Sequence, residues 1–365
     1  MCTTVNTTTP TTNTTTHTIN TTTYTNTATT NTTTMCTTEV DGRVRENCDT
    51  SLYWAIRGGG GGTWGVVISF TFRLHFAPQR VRRVISSWVL KAGEVDQFGR
   101  DTVKYVSEQL TNLCPRWGGY ILLSGDYIPN TTYSHTLTAF MNHFGSDDDP
   151  CNSDIDGILS YNVSGNQLGK NEVKYPTFLG YELTAKDPDF TNTYIVNTFV
   201  QPEALREKAS QEVFADIVLS LGKYGAGCVG VLIGGNMDKV LAGDTPVNPS
   251  FRSGIMSLSC GVNWDVTWVN ESYYIDNALE FGKKIKEVGA GVYFNEPDED
   301  LDNWKTEFWG SEDTYCKLDA IKRWVDPSNF LWCHNCVGSD LSRDCSPFYT
   351  FKHAIDYAFC SVTRL

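Results

Sequence analysis

Residues 52–75 read LYWAIRGGGGGTWGVVISFTFRLH. Five glycines, Gly58, Gly59, Gly60, Gly61 and Gly62, stand together, and Gly65 follows beyond Thr63 and Trp64. Gly60, Gly62 and Gly65 satisfy G-x-G-x-x-G, but a dinucleotide-binding fingerprint must open a helix. Here Ile68, Phe70, Phe72 and Leu74 alternate with Ser69, Thr71 and Arg73, which predicts a strand with one buried face. A P-loop is excluded as well, because no Gly-Lys-Ser/Thr follows. A flexible linker is the plain alternative for so many glycines. The frame of Trp54, Ile56, Trp64 and a strand points instead to successive backbone N–H groups that approach a phosphate or heteroaromatic ring closely, with no Cβ in the way. Upstream, Ser51–Ile56 is a short apolar element, and Asp41-Gly42 signals a tight turn between short extended pieces.

Further upstream the composition changes. Residues 1–38 contain no Asp, Glu, Lys or Arg, and 23 of them are Thr. This leader has no apolar periodicity, so it is expected to be low-complexity and disordered. It also lacks the basic start and apolar core of a secretory signal. Asn6, Asn13, Asn20 and Asn31 begin N-x-Thr sequons there, and Asn130, Asn162 and Asn270 begin three more in the body; they matter only in a secretory pathway. Over all 365 residues, 29 basic against 42 acidic side chains leave a net charge of −13. That field repels phosphate backbones and argues against nucleic-acid binding. No apolar run approaches the length of a membrane span.

Downstream, residues 79–290 alternate between strand and helix signals, an α+β pattern. Strands are expected at 82–91, 120–123 and 136–140. Helices are expected at 94–113, at 202–223 with Pro202 early and Gly222 and Gly225 at its end, and at 273–288. From 289 to 340 the chain reads GAGVYFNEPDEDLDNWKTEFWGSEDTYCKLDAIKRWVDPSNFLWCHNCVGSD. A short strand is expected at 292–295, then an acidic loop at 296–302. Ser311 caps a helix that Asp326-Pro327 ends, and 330–332 forms a last apolar piece. Cys333-His334-Asn335-Cys336 has the spacing of half a zinc site or a redox pair. No second ligand pair is suitably spaced and no thioredoxin-like context surrounds it, so no metal is assigned. Twelve irregularly spaced cysteines are compatible with a few disulfides whose partners the sequence does not give.

Two of these segments resemble one family. LYWAIRGGGGGTWGVV is similar to the L-[FY]-W-A-[LI]-R-G-G-G-G-G-x-[FW]-G-V-V segment of the berberine-bridge-enzyme-like FAD-linked oxidases, of the vanillyl-alcohol-oxidase (PCMH-type) flavoprotein superfamily. The run from Tyr293-Phe294-Asn295-Glu296 through Asn303-Trp304, Trp309-Gly310 and Ile321-Lys322 to Asp326-Pro327 and WCHNCVGSD resembles the berberine-like carboxy-terminal module of fungal members. NTFVQPEAL and TPVNPSFR are weaker echoes between them.

The resemblance implies an α+β fold. Its parts are a partial PCMH-type FAD-binding domain at 39–78, an antiparallel-sheet substrate domain with helices at 79–290, whose sheet roofs the flavin, and the berberine-like module at 291–340. The leader at 1–38 and an irregular tail at 341–365 lie outside it. It implies FAD as cofactor, lined by Arg57, Gly58, Gly59, Gly60, Gly61, Gly62, Thr63, Gly65, Val66 and Asn295. Tyr293 and Asn295 would be the catalytic pair at the reactive edge of the ring, Tyr293 as acid/base or orienting phenol. The implied partners are a small organic substrate (an alcohol, sugar or secondary metabolite) and O₂, with hydride transfer to flavin N5. Family members keep the pyrophosphate-binding loop and the flavin-tethering His and Cys upstream of the glycine run. None of His17, Cys2, Cys36 or Cys48 sits in a matching motif. The alternative expectation is therefore a truncated, FAD-deficient pseudoenzyme or gene-model fragment without activity.

Overall fold

In the computed structural model the described residues are 51–340, apart from 69–71, 93–96, 128–132, 164, 185–191 and 265–269, together with the backbone of five short strands between residues 2 and 47. The tail expected at 341–365 lies outside them, as does most of the leader. Where leader backbone is described it is extended: Cys2–Val5 pairs with Thr33–Val40, and Thr16–Ile19 with Thr22–Thr25. Strands were not expected there; the β-branched threonine side chain favours extended backbone even without an apolar stripe. Thr33–Val40 also pairs with Arg43–Asn47, Val40 opposite Arg43; the turn expected at Asp41-Gly42 lies outside the described residues.

The chain divides into two units, one built from residues 1–74 and 316–365 and the other from 75–315. Helix α1 (Ser51–Ile56) belongs to the first unit, and so does most of α6 (Glu312–Val325), whereas α5 (Trp304–Trp309) belongs to the second. The strand expected at 68–74 is not formed among its described residues: 68 and 72–74 carry no ladder. Val66, Ile68, Phe72 and Leu74 are exposed, Val66 by 86%. The alternation is present in the sequence, but the pleat gains nothing unless a neighbouring strand accepts its hydrogen bonds and covers its apolar side. Phe70, Ser69 and Thr71 lie outside the described residues.

The second unit is built on an eight-stranded antiparallel sheet of β1 (Val81–Ala92), β2 (Trp117–Tyr127), β3 (Tyr133–Phe144), β4 (Gln167–Tyr175), β5 (Asn192–Val200), β6 (Ala226–Leu232), β7 (Met256–Trp264) and β8 (Gly289–Ala290). Their order is β8-β5-β7-β6-β2-β3-β1-β4. Helices α2 (Gln97–Leu110), α3 (Lys208–Leu219) and α4 (Glu271–Ile285) pack on one face of it, where Trp88, Leu90, Ile121, Leu137, Met141, Leu258, Phe214 and Phe281 form the core. The approach is close: a Cβ on Gly99 of α2 would lie 1.6 Å from the Leu90 carbonyl oxygen. The helix expected at 202–223 is three pieces, Pro202–Arg206, α3 and Leu221–Tyr224. Extended backbone at Glu207 makes the first break, and left-handed Gly225 ends the last piece. Cys228 and Cys260 are register partners on β6 and β7 and form a disulfide, and Cys114 pairs with Cys151. Among the described residues no helix is long and apolar enough to cross a membrane.

Because side chains alternate along a strand, the other face of the sheet carries a second set. It consists of Ile195, Asn197 and Phe199 on β5, Ser257 and Ser259 on β7, Val229 and Val231 on β6, and Tyr120 stacked on Phe140 with ring centres 4.9 Å apart. Ile195, Tyr120 and Val231 are part-exposed, Val231 by 48%. This is the face on which the unit can receive something flat and apolar.

Candidate functional site

The glycine run begins at the end of α1, where Gly59 N–H donates to the Ala55 carbonyl at 2.7 Å. Its glycines have different roles. A Cβ on Gly59 would lie 2.6 Å from the Ala55 oxygen, 2.7 Å from Trp64 Cζ2 and 2.8 Å from Leu318 Cδ2, so Gly59 is there for packing. Gly61, Gly62 and Gly65 have nothing within 4 Å of the Cβ position, and Gly62 has a left-handed φ of 73°. Thr63 is wholly buried, and its hydroxyl donates back to the Gly61 carbonyl at 3.2 Å. Arg57 is exposed with its guanidinium 5.1 Å over the Tyr53 ring, and Val66 is exposed. Among the described residues, the backbone N–H groups of Gly61, Gly62, Trp64 and Gly65 donate to no protein acceptor. The Trp64 indole N–H is buried without one. A succession of free amides beside open glycines is a surface that binds anions and polar ring edges.

The second cluster lies in the other unit, on the sheet face opposite α2, α3 and α4. The strand expected at 292–295 is a turn instead, closed by Glu296 N–H to the Tyr293 carbonyl at 3.0 Å; the strand at this point is only Gly289–Ala290. The reason is Asn197, which is 2% exposed. Its Oδ1 accepts the Tyr293 N–H at 2.8 Å, so a side chain takes the place of a ladder partner. Asn197 Nδ2 faces Ser257 Oγ at 3.0 Å and Ser259 Oγ at 2.7 Å. The Ser259 hydroxyl donates to Glu296 Oε2, which also lies 3.5 Å from Asn197 Nδ2. A buried amide satisfied on both sides sets the course of the turn.

On this turn Tyr293 and Asn295 come together. Asn295 Nδ2 donates to the Tyr293 hydroxyl at 2.8 Å, and the Tyr293 ring stacks on Phe251 at 6.0 Å. With an acceptor site of the phenol oxygen taken by Asn295, the hydroxyl proton is left to donate elsewhere. Beyond the turn, the Tyr194 hydroxyl lies 2.9 Å from Asp298 and 3.0 Å from Asp300. Burial and these two carboxylates push its titration far above the usual tyrosine range, so Tyr194 is a neutral donor.

The structure thus unites Tyr293 with Asn295 in one unit, and keeps Arg57, Gly58, Gly59, Gly60, Gly61, Gly62, Thr63, Gly65 and Val66 in the other. Asn197, Ser257, Ser259 and Glu296 were not singled out from sequence. A signal existed for the serines, since Met256, Leu258, Cys260 and Val262 alternate with Ser257, Ser259 and Gly261, a strand with one small, polar face. Cys333 and Cys336 form a disulfide.

Known proteins resemble the chain in the same regions. Residues 292–338 match the family described as berberine and berberine like. An uncharacterized FAD-linked oxidoreductase of Arthroderma benhamiae is 26% identical over 315 residues, 82% of this chain and 52% of that protein. A VAO-type flavoprotein oxidase of Thermothelomyces thermophilus is 26% identical over 80% of this chain and 51% of its own length. The chain therefore spans about half the length of the curated relatives it matches. The fold is that of a VAO-type flavoprotein from Myceliophthora thermophila, with a TM-score of 0.67, 19% identity, and coverage of 84% of this chain and 57% of that one. It is also that of berberine bridge enzyme from Eschscholzia californica, with a TM-score of 0.62, 18% identity, and 81% and 63% coverage. In its carboxy-terminal segment, its sequence relatives and its fold, the chain is thus similar to the berberine-like, VAO-type flavoproteins.

Proposed function

We propose that the chain is an FAD-linked oxidoreductase that oxidises a small organic molecule, an alcohol, sugar or secondary metabolite, with O₂ as the final acceptor. The observation that carries this reading is the glycine run. Gly61, Gly62 and Gly65 leave open space where side chains would stand, and the amides of Gly61, Gly62, Trp64 and Gly65 lack a protein acceptor among the described residues. Residues of this kind fit the cofactor: free N–H groups suit its phosphate or pyrimidine oxygens, and missing Cβ atoms allow a ring to lie close. When bound, the flavin would supply the electron-accepting chemistry that no side chain offers. Arg57, Thr63 and Val66 flank that contact.

Tyr293 is the group that handles the substrate's proton or orients its reacting atom. Asn295 fixes the phenol oxygen, and Phe251 keeps the ring upright. Asn197 and Ser259 hold Glu296 beside it as a second polar group on the same sheet face.

The test is direct. The purified full chain is titrated with FAD and then mixed with a panel of alcohols and sugars while the flavin absorbance is followed. Bleaching by one member of the panel, lost in Tyr293→Phe with FAD still bound, supports the reading; bleaching unchanged by the substitution removes Tyr293 from the mechanism. A second reading, a ligand-binding body without turnover, is favoured by one observation, the uncovered apolar residues Val66, Ile68, Phe72 and Leu74. A colourless protein that takes up no FAD would establish it over the first.

A further inference from the structure

Lys322 is the most thoroughly buried charged side chain on α6, 2% exposed. An ammonium has three N–H donors and no acceptor, and here each donor has its own partner. Nζ lies 2.8 Å from the Thr63 carbonyl oxygen, 2.7 Å from the Leu331 carbonyl oxygen and 2.7 Å from Asp326 Oδ2. Asp326 is itself fully engaged: its Oδ2 accepts the Leu331 N–H at 2.8 Å and its Oδ1 the Phe330 N–H at 2.9 Å. Burial pushes the Asp326 carboxyl up, but Lys322 and these two amides overcome it and bring it down to about 2. A methionine would fill similar space without the cost of burying a charge. What the ammonium adds is direction, because it orients the carbonyls around it.

One of those carbonyls lies inside the glycine run. Every described peptide bond is trans, and in a planar trans peptide the C=O and the following N–H point in opposite directions. With the Thr63 oxygen drawn onto Lys322, the Trp64 N–H must point away from α6. That amide has no protein acceptor among the described residues. Thr63 cannot relax outward without breaking the bond, since it is 0% exposed between Gly62 and Trp64.

We propose that Lys322 is a positioning residue for the cofactor: by holding the Thr63 carbonyl it presents the Trp64 amide, and the open backbone beside it, to FAD. The proposal rests on the reading of the glycine run as an FAD surface.

The test uses the full chain and FAD itself as probe. FAD affinity is read from quenching of its fluorescence, and the visible spectrum of the bound flavin is recorded. Losing one preorganised donor is expected to weaken FAD binding about tenfold in Lys322→Met and to alter the bound spectrum. Ile321→Val, a buried truncation on the same helix that leaves all three Lys322 bonds in place, is expected to lower thermal stability while keeping wild-type affinity and spectrum. Equal affinity in Lys322→Met and wild type would overturn the proposal, and so would equal weakening in Ile321→Val. If Lys322→Met does not fold, Lys322→Gln is read the same way, and wild-type affinity there overturns it too. A wild-type chain that binds no FAD refutes the proposed function itself, before Lys322 comes into question.

Discussion

The glycine run and the Tyr293 turn solve the same problem, holding irregular backbone in one course, by opposite means. At the run the course depends on what is missing: Gly59 packs where no side chain fits, and Gly61, Gly62 and Gly65 leave space. At the turn it depends on what is present, a buried amide that replaces a strand partner and a serine hydroxyl that holds a carboxylate. The first arrangement fails when atoms are added, the second when atoms are removed. Irregular backbone at a functional site is thus not uniformly fragile; the direction of its fragility shows how it was built.

Substitutions can break or sharpen this contrast. The largest effect is expected at Gly59→Ala, whose new methyl meets the Ala55 carbonyl, Trp64 and Leu318; overpacking of this kind costs about 3 kcal/mol. Gly61→Ala, with open space around it, should stay within about 0.5 kcal/mol of wild type and yet weaken FAD binding. Urea unfolding of the pair checks the difference, and equal losses would mean that the run is not divided in role.

Next in size is Asn197→Ala, which leaves the Tyr293 N–H without its acceptor and removes the amide that faces Ser257 and Ser259, and should cost about 2 kcal/mol. Glu296→Gln keeps an acceptor for Ser259 and should cost less than about 1 kcal/mol. If the two melt alike, the amide is not what holds the turn.

The smallest effect is a response to acid that differs between the units. His143 is 1% exposed, and burial, opposed by Asp149 and reinforced by Arg116 and Arg82, lowers its pKa. A histidine kept neutral in the fold takes up its proton more readily once unfolded. The sheet unit should therefore lose stability as pH falls through the ordinary histidine value of about 6.5. Asp326 works in a lower window: with its pKa held near 2, its contribution is complete above the unfolded value of about 4 and is lost only as pH falls from there. Fluorescence and circular dichroism melts between neutral pH and pH about 4 should show the sheet unit weakening first, and His143→Phe should flatten that slope.

How much of this was legible in the sequence follows from where the determining contacts lie. The glycine run is one continuous phrase, and strands such as β1 and β3 declare their own period, so both could be found by reading along the chain. The Tyr293 turn could not be drawn correctly that way. Residues 292–295 are apolar enough to suggest a strand, and the bond that makes them a turn comes from Asn197, 96 residues away in sequence. The segment at 68–74 fails in the converse sense: its alternation is real, but an alternating sequence becomes a strand only beside a partner. Lys322 was visible as a motif letter, but one of its three acceptors, the Thr63 carbonyl, lies 259 residues away in sequence.

The hydrogen bond from Lys322 to Thr63 spans 259 residues of sequence, and that span has a temporal meaning. The sheet unit is one uninterrupted length, residues 75–315, whereas the glycine run's unit takes its parts from both sides of it. A chain made from its amino terminus has the whole sheet available for folding before Lys322 has been synthesised. The glycine run can therefore acquire its final backbone only late, after the sheet, and the long loop this contact must close makes it a slow step.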